Sequence, residues 1–554
     1  MSPANTGVRT EILLLVAFCG FLFFYGLGAF GLVGADEPRY AQIAREMLNR
    51  SDWVTPTLNG KPWLEKPPLY YWQAALVYGA ARRFAAAKQD DGGWAALAAD
   101  GVNEKTARLP DAIDATLMVA AIYFFLRRFR PGTEIDGAVI TASCAGVIGF
   151  ARAAATDMPL TATFVIALLG WYGWYESRKR VGLAVFYVFL ALGTLAKGPV
   201  APTLAAVIVI LFGVAMHDWK CVWRTLWGPG ILLFLLVGLP WYLAVQRRNP
   251  GFFRFFILEH NLARFSTNVY HHPQPFWFYL PVFLLATMPW MVWLIAAVVG
   301  QARLLWREGR EAPGNSEDAW ANFLLVWMIV PVVFFSASQS KLPGYILPAV
   351  PAGALLVTDY FAARRVERIA LPKLLAILHG MACGLLVSGA LAAASIAVKH
   401  RLVAGEGSYV AAGVGLVLAL GIAVASAVES GPRLVRSATM IAVIVSVAAV
   451  IRFAAPVIDA TQSARPVAET IRAFSREPVP VALYHVNRVQ EYGLEFYLNR
   501  PTEKYEEGQV PDDAHLLITA SNADSGFRQK LTGRKVSYLT SIPAQKLELY
   551  WIGK

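Results

Sequence analysis

Leu13-Leu14-Leu15-Val16-Ala17-Phe18-Cys19-Gly20-Phe21-Leu22-Phe23-Phe24-Tyr25 belongs to an almost uncharged run, residues 11–34, and Ala35-Asp36-Glu37-Pro38-Arg39-Tyr40-Ala41 follows it at once. A helical span needs about 20 mostly apolar residues, so this run is long enough to cross a membrane. It exceeds the apolar stretch of a secretory signal and has no clear small-residue cleavage site, so it reads as a retained span. Behind it, Pro38 suits the first turn of a helix and Asp36 the cap before it. Tyr40, Ile43, Ala44 and Met47 fall on one side of that helix, and Arg39, Gln42, Arg45 and Glu46 on the other. That is the pattern of an amphipathic helix lying in the interface.

The rest of the chain repeats the first element of this pattern. Of 554 residues, 56% are hydrophobic and 16% are charged, against roughly 25% charged in soluble chains. A disordered chain is excluded, and a large soluble enzyme is disfavoured. Apolar stretches near 11–34, 108–127, 136–155, 157–176, 181–196, 199–216, 227–246, 276–300, 320–337, 344–361, 374–397, 408–428 and 437–456 predict about thirteen spans. The expected fold class is therefore mainly α, a polytopic helical membrane protein. The formal net charge of +12 is explained first by Lys and Arg in cytoplasmic loops, and no nucleic acid partner is expected. Cys19, Cys144, Cys221 and Cys383 lie in or beside apolar runs, with neither metal-ligand spacing nor a disulfide pattern.

Basic residues set the orientation. Arg127-Arg128-Phe129-Arg130, Arg178-Lys179-Arg180, Lys220 with Arg224, Arg303 with Arg307 and Arg310, Arg364-Arg365 with Arg368, and Arg433 with Arg436 fall in alternate loops. These loops and the N-terminus are predicted to be cytoplasmic. The remaining loops then face outward, the periplasm of a bacterial inner membrane. Two outward loops are long, 35–107 and 247–275, and long ordered loops are usually functional. Both combine charges with aromatics and prolines and are expected to hold interfacial helices. Residues 457–554 are more polar, with β-rich runs at Val479–Tyr484, His515–Thr519, Val536–Leu539 and Leu547–Ile552 behind a helix-like stretch at 465–476. They predict a small C-terminal α/β domain on the periplasmic side, and 1–456 is expected to form the transmembrane catalytic domain.

The run Ala35–Ala41, with Leu64-Glu65-Lys66-Pro67-Pro68-Leu69-Tyr70-Tyr71-Trp72, resembles the bacterial protein O-mannosyltransferase-like membrane glycosyltransferases of the GT-C class, and among them the lipid A aminoarabinose transferases. Further segments agree in order: Ala155-Thr156-Asp157-Met158-Pro159, Ala196-Lys197-Gly198, Leu258-Glu259-His260 with Arg264-Phe265, Pro275–Tyr279, and Ser340-Lys341-Leu342-Pro343-Gly344-Tyr345. The resemblance covers about the first 350 residues, and the rest more weakly. It implies transfer of 4-amino-4-deoxy-L-arabinose from undecaprenyl phosphate to a lipid A phosphate. The partners implied are that lipid-linked sugar, lipid A and membrane lipid, and a monomer is expected. The product masks negative charge and resists polymyxin and other cationic peptides.

Such a donor needs cations for its leaving phosphate. Lys66 and Arg264 are the first candidates, with Tyr345 as a hydrogen-bond donor to the same phosphate and Arg39, Lys341 and Lys197 close by in the outward loops. Arg offers a planar fork to phosphate and Lys a point charge. Asp36, Asp157 and Glu37 are the candidate catalytic carboxylates. Glu65 and His260 are the candidate metal pair, from a looser set with Glu259, His271 and His272, and zinc accepts such ligands. No tight metal motif is present. A donor linked through one phosphate has no diphosphate to chelate, so no cofactor is required. Transfer to protein hydroxyls or to another envelope glycan is the alternative enzyme. A lipid transporter is disfavoured, because the charged motifs gather at one face and transport sites tend to lie near the midplane.

Overall fold

A computed structural model of the chain describes residues 3–85, 101–263, 274–311, 319–399, 410, 413–421, 431–475, 477–523, 526–529, 531 and 533–554. Among these residues, seven helices are long and apolar enough to cross a membrane, or nine if each of two bent pairs is one span. About thirteen were expected, and the differences have local causes. The first apolar run is helical only to Phe24. Behind it the glycine-rich segment turns, with φ of +70° at Gly26 and +68° at Gly34, conformations that glycine adopts without steric cost. The stretch 136–155 bends by 65° between Ala142 and Ala145, and 276–300 bends by 116° between Ala286 and Met291. Val200–Ala215 is apolar but only 16 residues long. Much of the expected span 408–428 lies outside the described residues.

The chain groups into two compact units. One comprises Met1–Tyr25, Leu64–Tyr70 and Asp111–Val450, and the other Gly26–Trp63, Tyr71–Pro110 and Ile451–Lys554.

The first unit is helical. Its helices Asp157–Ser177 and Arg180–Lys197 are joined by Arg178-Lys179 and fold back on one another. Glycine permits their close approach: a Cβ on Gly182 would stand 2.5 Å from the Gly170 carbonyl oxygen and 2.8 Å from the Trp174 nitrogen. Trp171, Tyr172, Phe212, Trp320 and Phe323 interlock nearby in stacked, tilted and edge-on pairs. Asp136, on the helix Glu134–Ala142, is buried and takes Arg365 on one oxygen and Arg436 on the other. A carboxylate so placed needs such partners, because leaving it unpaired costs several kcal/mol.

The second unit holds a five-stranded sheet, ordered Glu503–Lys504, Val481–Tyr484, His515–Ala520, Leu547–Ile552, Val536–Ile542. The first three strands are parallel and the last two pair antiparallel. Alternation along the strands fills two cores. Val481, Leu483, Leu516 and Ile518 pack with Val467, Ile471 and Leu494, while Ala482, Tyr484 and Leu517 pack with Phe527 and Tyr550. The helix expected at 465–476 runs Arg465–Phe474. The expected small α/β fold is present.

The helix Asp36–Asn49 belongs to this unit, and Gln42 and Arg45 of its charged side are buried too. Arg45 donates to the Phe496 carbonyl (2.7 Å) and to Gln42 (2.8 Å), and lies over the Phe496 ring at 4.5 Å. Gln42 reaches Asn499. The alternation that suits an interfacial helix thus serves contact with protein, because the helix Arg488–Leu498 brings complementary polar groups. Glu46 gathers the Asn59-Gly60 turn, accepting from Asn59 N (2.8 Å), Gly60 N (3.2 Å) and Thr57 Oγ1 (2.8 Å).

Glu495 accepts from the Asn59 side chain at 2.9 Å. It is 3% exposed, and its Oε2 has no partner among the described residues. Burial pushes its carboxyl up to about 7. The folded state therefore keeps a proton that the unfolded chain releases near 4.5. Stability should fall as pH rises from about 4.5 to about 7 and then level off, a loss of roughly 3 kcal/mol. Glu495→Gln should remove that slope and melt higher than the parent above pH 7, with little difference at pH 4.5. Melting curves of both chains across this range check it, and parallel slopes would count against it.

Candidate active site

In the first unit, Asp157 opens the helix Asp157–Ser177 and Lys197 closes the helix Arg180–Lys197. A carboxylate suits a helix N-terminus and a cation a C-terminus. Because the two helices fold back on each other, these termini meet: Lys197 Nζ lies 2.5 Å from Asp157 Oδ1, with the side chains 12% and 17% exposed. The same ammonium is 4.8 Å from the centre of the Tyr345 ring, within cation–π range. Tyr345 stands on the short 3₁₀ turn Pro343–Ala349. Ahead of it, Gly344 makes room for the carboxylate: a Cβ there would lie 2.6 Å from Asp157 Oδ1 and 2.8 Å from the Phe150 ring.

An ammonium has three donors. Among the described residues Lys197 donates one of them, to Asp157. Two N–H groups therefore remain for an anion, held on a partly buried cation whose position a carboxylate and an aromatic ring fix. Lys341 is placed differently: it is buried, and its ammonium donates to the Ser338 carbonyl at 2.5 Å, which ties the loop ahead of Pro343. Glu65 and Lys66 are half-buried in the bend before the helix Leu69–Ala85.

In the second unit, Asp36 begins its helix, is exposed, and pairs with Arg39 one turn on. The Arg39 guanidinium is ringed by Tyr40, Trp63 and Tyr492 at 4.9–5.4 Å. Glu37 has both oxygens engaged. Oε1 accepts from Arg108 Nε (3.0 Å), and Oε2 from Arg108 Nη2 (2.8 Å) and from the Val33 nitrogen (2.8 Å). Arg108 also donates to the carbonyls of Leu27 (2.8 Å), Phe30 (2.9 Å) and Gly31 (2.9 Å). Its five N–H groups thus make five hydrogen bonds, and they shape the turn that leads into Asp36. Asp459 and Tyr497 hold the same turn, accepting from the nitrogens of Gly31 (2.7 Å) and Leu32 (2.8 Å).

The family described as dolichyl-phosphate-mannose-protein mannosyltransferase matches residues 94–243. An undecaprenyl phosphate-alpha-4-amino-4-deoxy-L-arabinose arabinosyl transferase of Enterobacter sp. (strain 638) is 30% identical over 409 residues, covering 70% of this chain and 67% of that protein. The chain belongs to this arabinosyl transferase family. The family member of Pseudomonas aeruginosa (strain UCBPP-PA14) is 33% identical over 358 residues, 63% of this chain, and the match spans 59% of that relative's length. The crystal structure of ArnT from Cupriavidus metallidurans bound to undecaprenyl phosphate superposes with a TM-score of 0.74 at 21% identity, over 98% of this chain and 97% of that one. It shows the same fold, that of a multi-pass helical membrane protein.

Of the other expected site residues, Arg264, His271 and His272 lie outside the described residues, as does the side chain of His260. Among the described residues no three His, Cys, Asp or Glu side chains are placed to hold a metal ion. Sequence reasoning passed over Arg108, whose only signal is a lone arginine at the start of a long apolar helix. It also passed over Gly344, which sits inside a quoted motif without a role.

Proposed function

We propose that this chain moves 4-amino-4-deoxy-L-arabinose from undecaprenyl phosphate to a phosphate of lipid A at the periplasmic face of the bacterial inner membrane. The observation that carries this reading is the Lys197–Asp157 pair under Tyr345 in a chain of this family. In the reaction an acceptor phosphate oxygen attacks the anomeric carbon, and the bond from that carbon to the undecaprenyl phosphate oxygen breaks with its electron pair. The leaving phosphate gains charge, and Lys197 is aimed to receive it, with Tyr345 beside it. A preorganised cation of this kind acts on the transition state more than on the ground state. Lys66, Arg264 and Arg39 are proposed as further ligands of the donor phosphate.

The acceptor needs no strong base. A phosphate monoester has its second pKa near 6 and is mostly dianionic at neutral pH. Asp157 is thereby proposed to orient Lys197, and Asp36, exposed and paired with Arg39, to receive the donor amine. The displacement inverts the anomeric centre and requires no cofactor. The basic loops and the N-terminus are proposed to be cytoplasmic, with residues 1–456 as the catalytic membrane domain and 457–554 as a periplasmic domain. The product would protect the cell from polymyxin.

Gly344→Ala should lower turnover roughly tenfold by pushing the Asp157 carboxylate aside, since an error of an ångström in a catalytic group is costly. Steady-state rates at matched membrane expression check this, and a parental rate would contradict it. The function itself is tested by mass spectrometry of lipid A from a transferase-null host that makes the donor. An aminoarabinose-sized addition is expected with the chain and not with empty vector. Unmodified lipid A, despite normal membrane levels of the chain, would overturn lipid A as the acceptor.

A further inference from the structure

We propose that the end of the bundle opposite the Asp157–Lys197 pair holds a binding site for one anionic glycerophospholipid. A groove of about 480 Å³ runs between the helices Glu104–Phe129, Asp157–Ser177 and Arg180–Lys197. Its volume falls in the range of roughly 300–1,000 Å³ common for small-ligand sites. Ile166, Leu169, Val181 and Val185 line it, with Phe125 and Phe129. Gly170 and Gly182, where the two later helices touch, also line it. Arg128 and Lys179 also line it, and they are exposed.

Charge chooses the occupant. Neither Arg128 nor Lys179 pairs with an acid among the described residues. Of the neighbouring acids, Glu176 pairs with Arg130 and Asp218 with Arg178. An apolar channel ending at two cations that have no acid partner among the described residues, on the basic end of a membrane-spanning bundle, matches a lipid whose acyl chain fills the channel and whose phosphate meets the cations. Basic pockets between spans recognise anionic headgroups in this way. A zwitterionic lipid would set its own cation against Arg128 and Lys179, and a free phosphate would leave the channel empty. The site lies at the far end of these helices from the proposed reaction and takes a lipid that is not its substrate.

The test is native mass spectrometry of the full chain in mild detergent, with phosphatidylglycerol and phosphatidylcholine of identical acyl chains added in turn and glycerol 3-phosphate as a competitor. One phosphatidylglycerol per chain is expected, retained at least fivefold more than phosphatidylcholine, and glycerol 3-phosphate should not displace it. R128A/K179A should lower phosphatidylglycerol to the phosphatidylcholine level. Val181→Trp should reduce binding of both lipids by filling the channel at a position already 73% exposed. Equal retention of the two lipids by the parent chain would overturn the proposal. So would unchanged phosphatidylglycerol binding in either variant at parental helix content, or displacement by glycerol 3-phosphate.

Discussion

Replacing Arg108 by Ala is expected to cost about 3–5 kcal/mol of stability, the usual loss when one partner of a buried pair is removed. Arg108 is 1% exposed and Glu37 8%. Truncation leaves the Glu37 carboxylate without its counter-charge and frees the carbonyls of Leu27, Phe30 and Gly31. Arg108→Lys should fail almost as badly, because three donors on a point charge cannot replace five in a planar fork. Pairing Arg108→Met with Glu37→Leu should recover part of the loss by removing both charges, while the carbonyls stay unmet. Melting in detergent distinguishes these outcomes. An Arg108→Ala chain that melts with the parent would mean that the turn before Asp36 holds itself.

Asp157→Asn and Lys197→Met should each lower kcat by about 10²–10³, the size seen when one preorganised charge-stabilising group is removed. The two groups are coupled. Asp157 acts through the ammonium it orients, so removing it should cost nearly as much as removing the ammonium itself. The double variant should then be little worse than either single one, since groups that act as a unit are non-additive. KM for the donor should change less than kcat. Additive losses would separate the two roles and leave Asp157 acting on substrate directly. Near-parental turnover in either single variant would remove the pair from the reaction.

The Asp157–Lys197 pair was within reach of the sequence, because a two-residue link between helices of 21 and 18 residues brings the start of one beside the end of the next. Most helices were legible for a similar reason, as apolar runs of the right length. The bends were not. Hydropathy marks neither turn, because both arms are apolar; Pro289 is a local signal for the turn in 276–300, and 136–155 holds no proline. Glu37 reads as a free carboxylate beside Asp36, and only the fold supplies Arg108, 71 residues away. Lys341 reads as an outward cation, yet its ammonium folds back on a carbonyl three residues earlier. Local pattern reports periodicity and charge, while the partner of a charge is a long-range fact.

Asp136 extends that point to biosynthesis. Its two arginines arrive 229 and 300 residues after it. At roughly 5–20 residues per second, the ribosome delivers the second arginine about 15–60 s after the carboxylate has emerged. For that interval the nascent helix carries a charge that the finished bundle buries. The carboxylate gains its second arginine only when the helix carrying Arg436 docks. A chain that ends before Arg436 keeps Asp136 half-paired, with one oxygen of a buried carboxylate lacking its counter-charge.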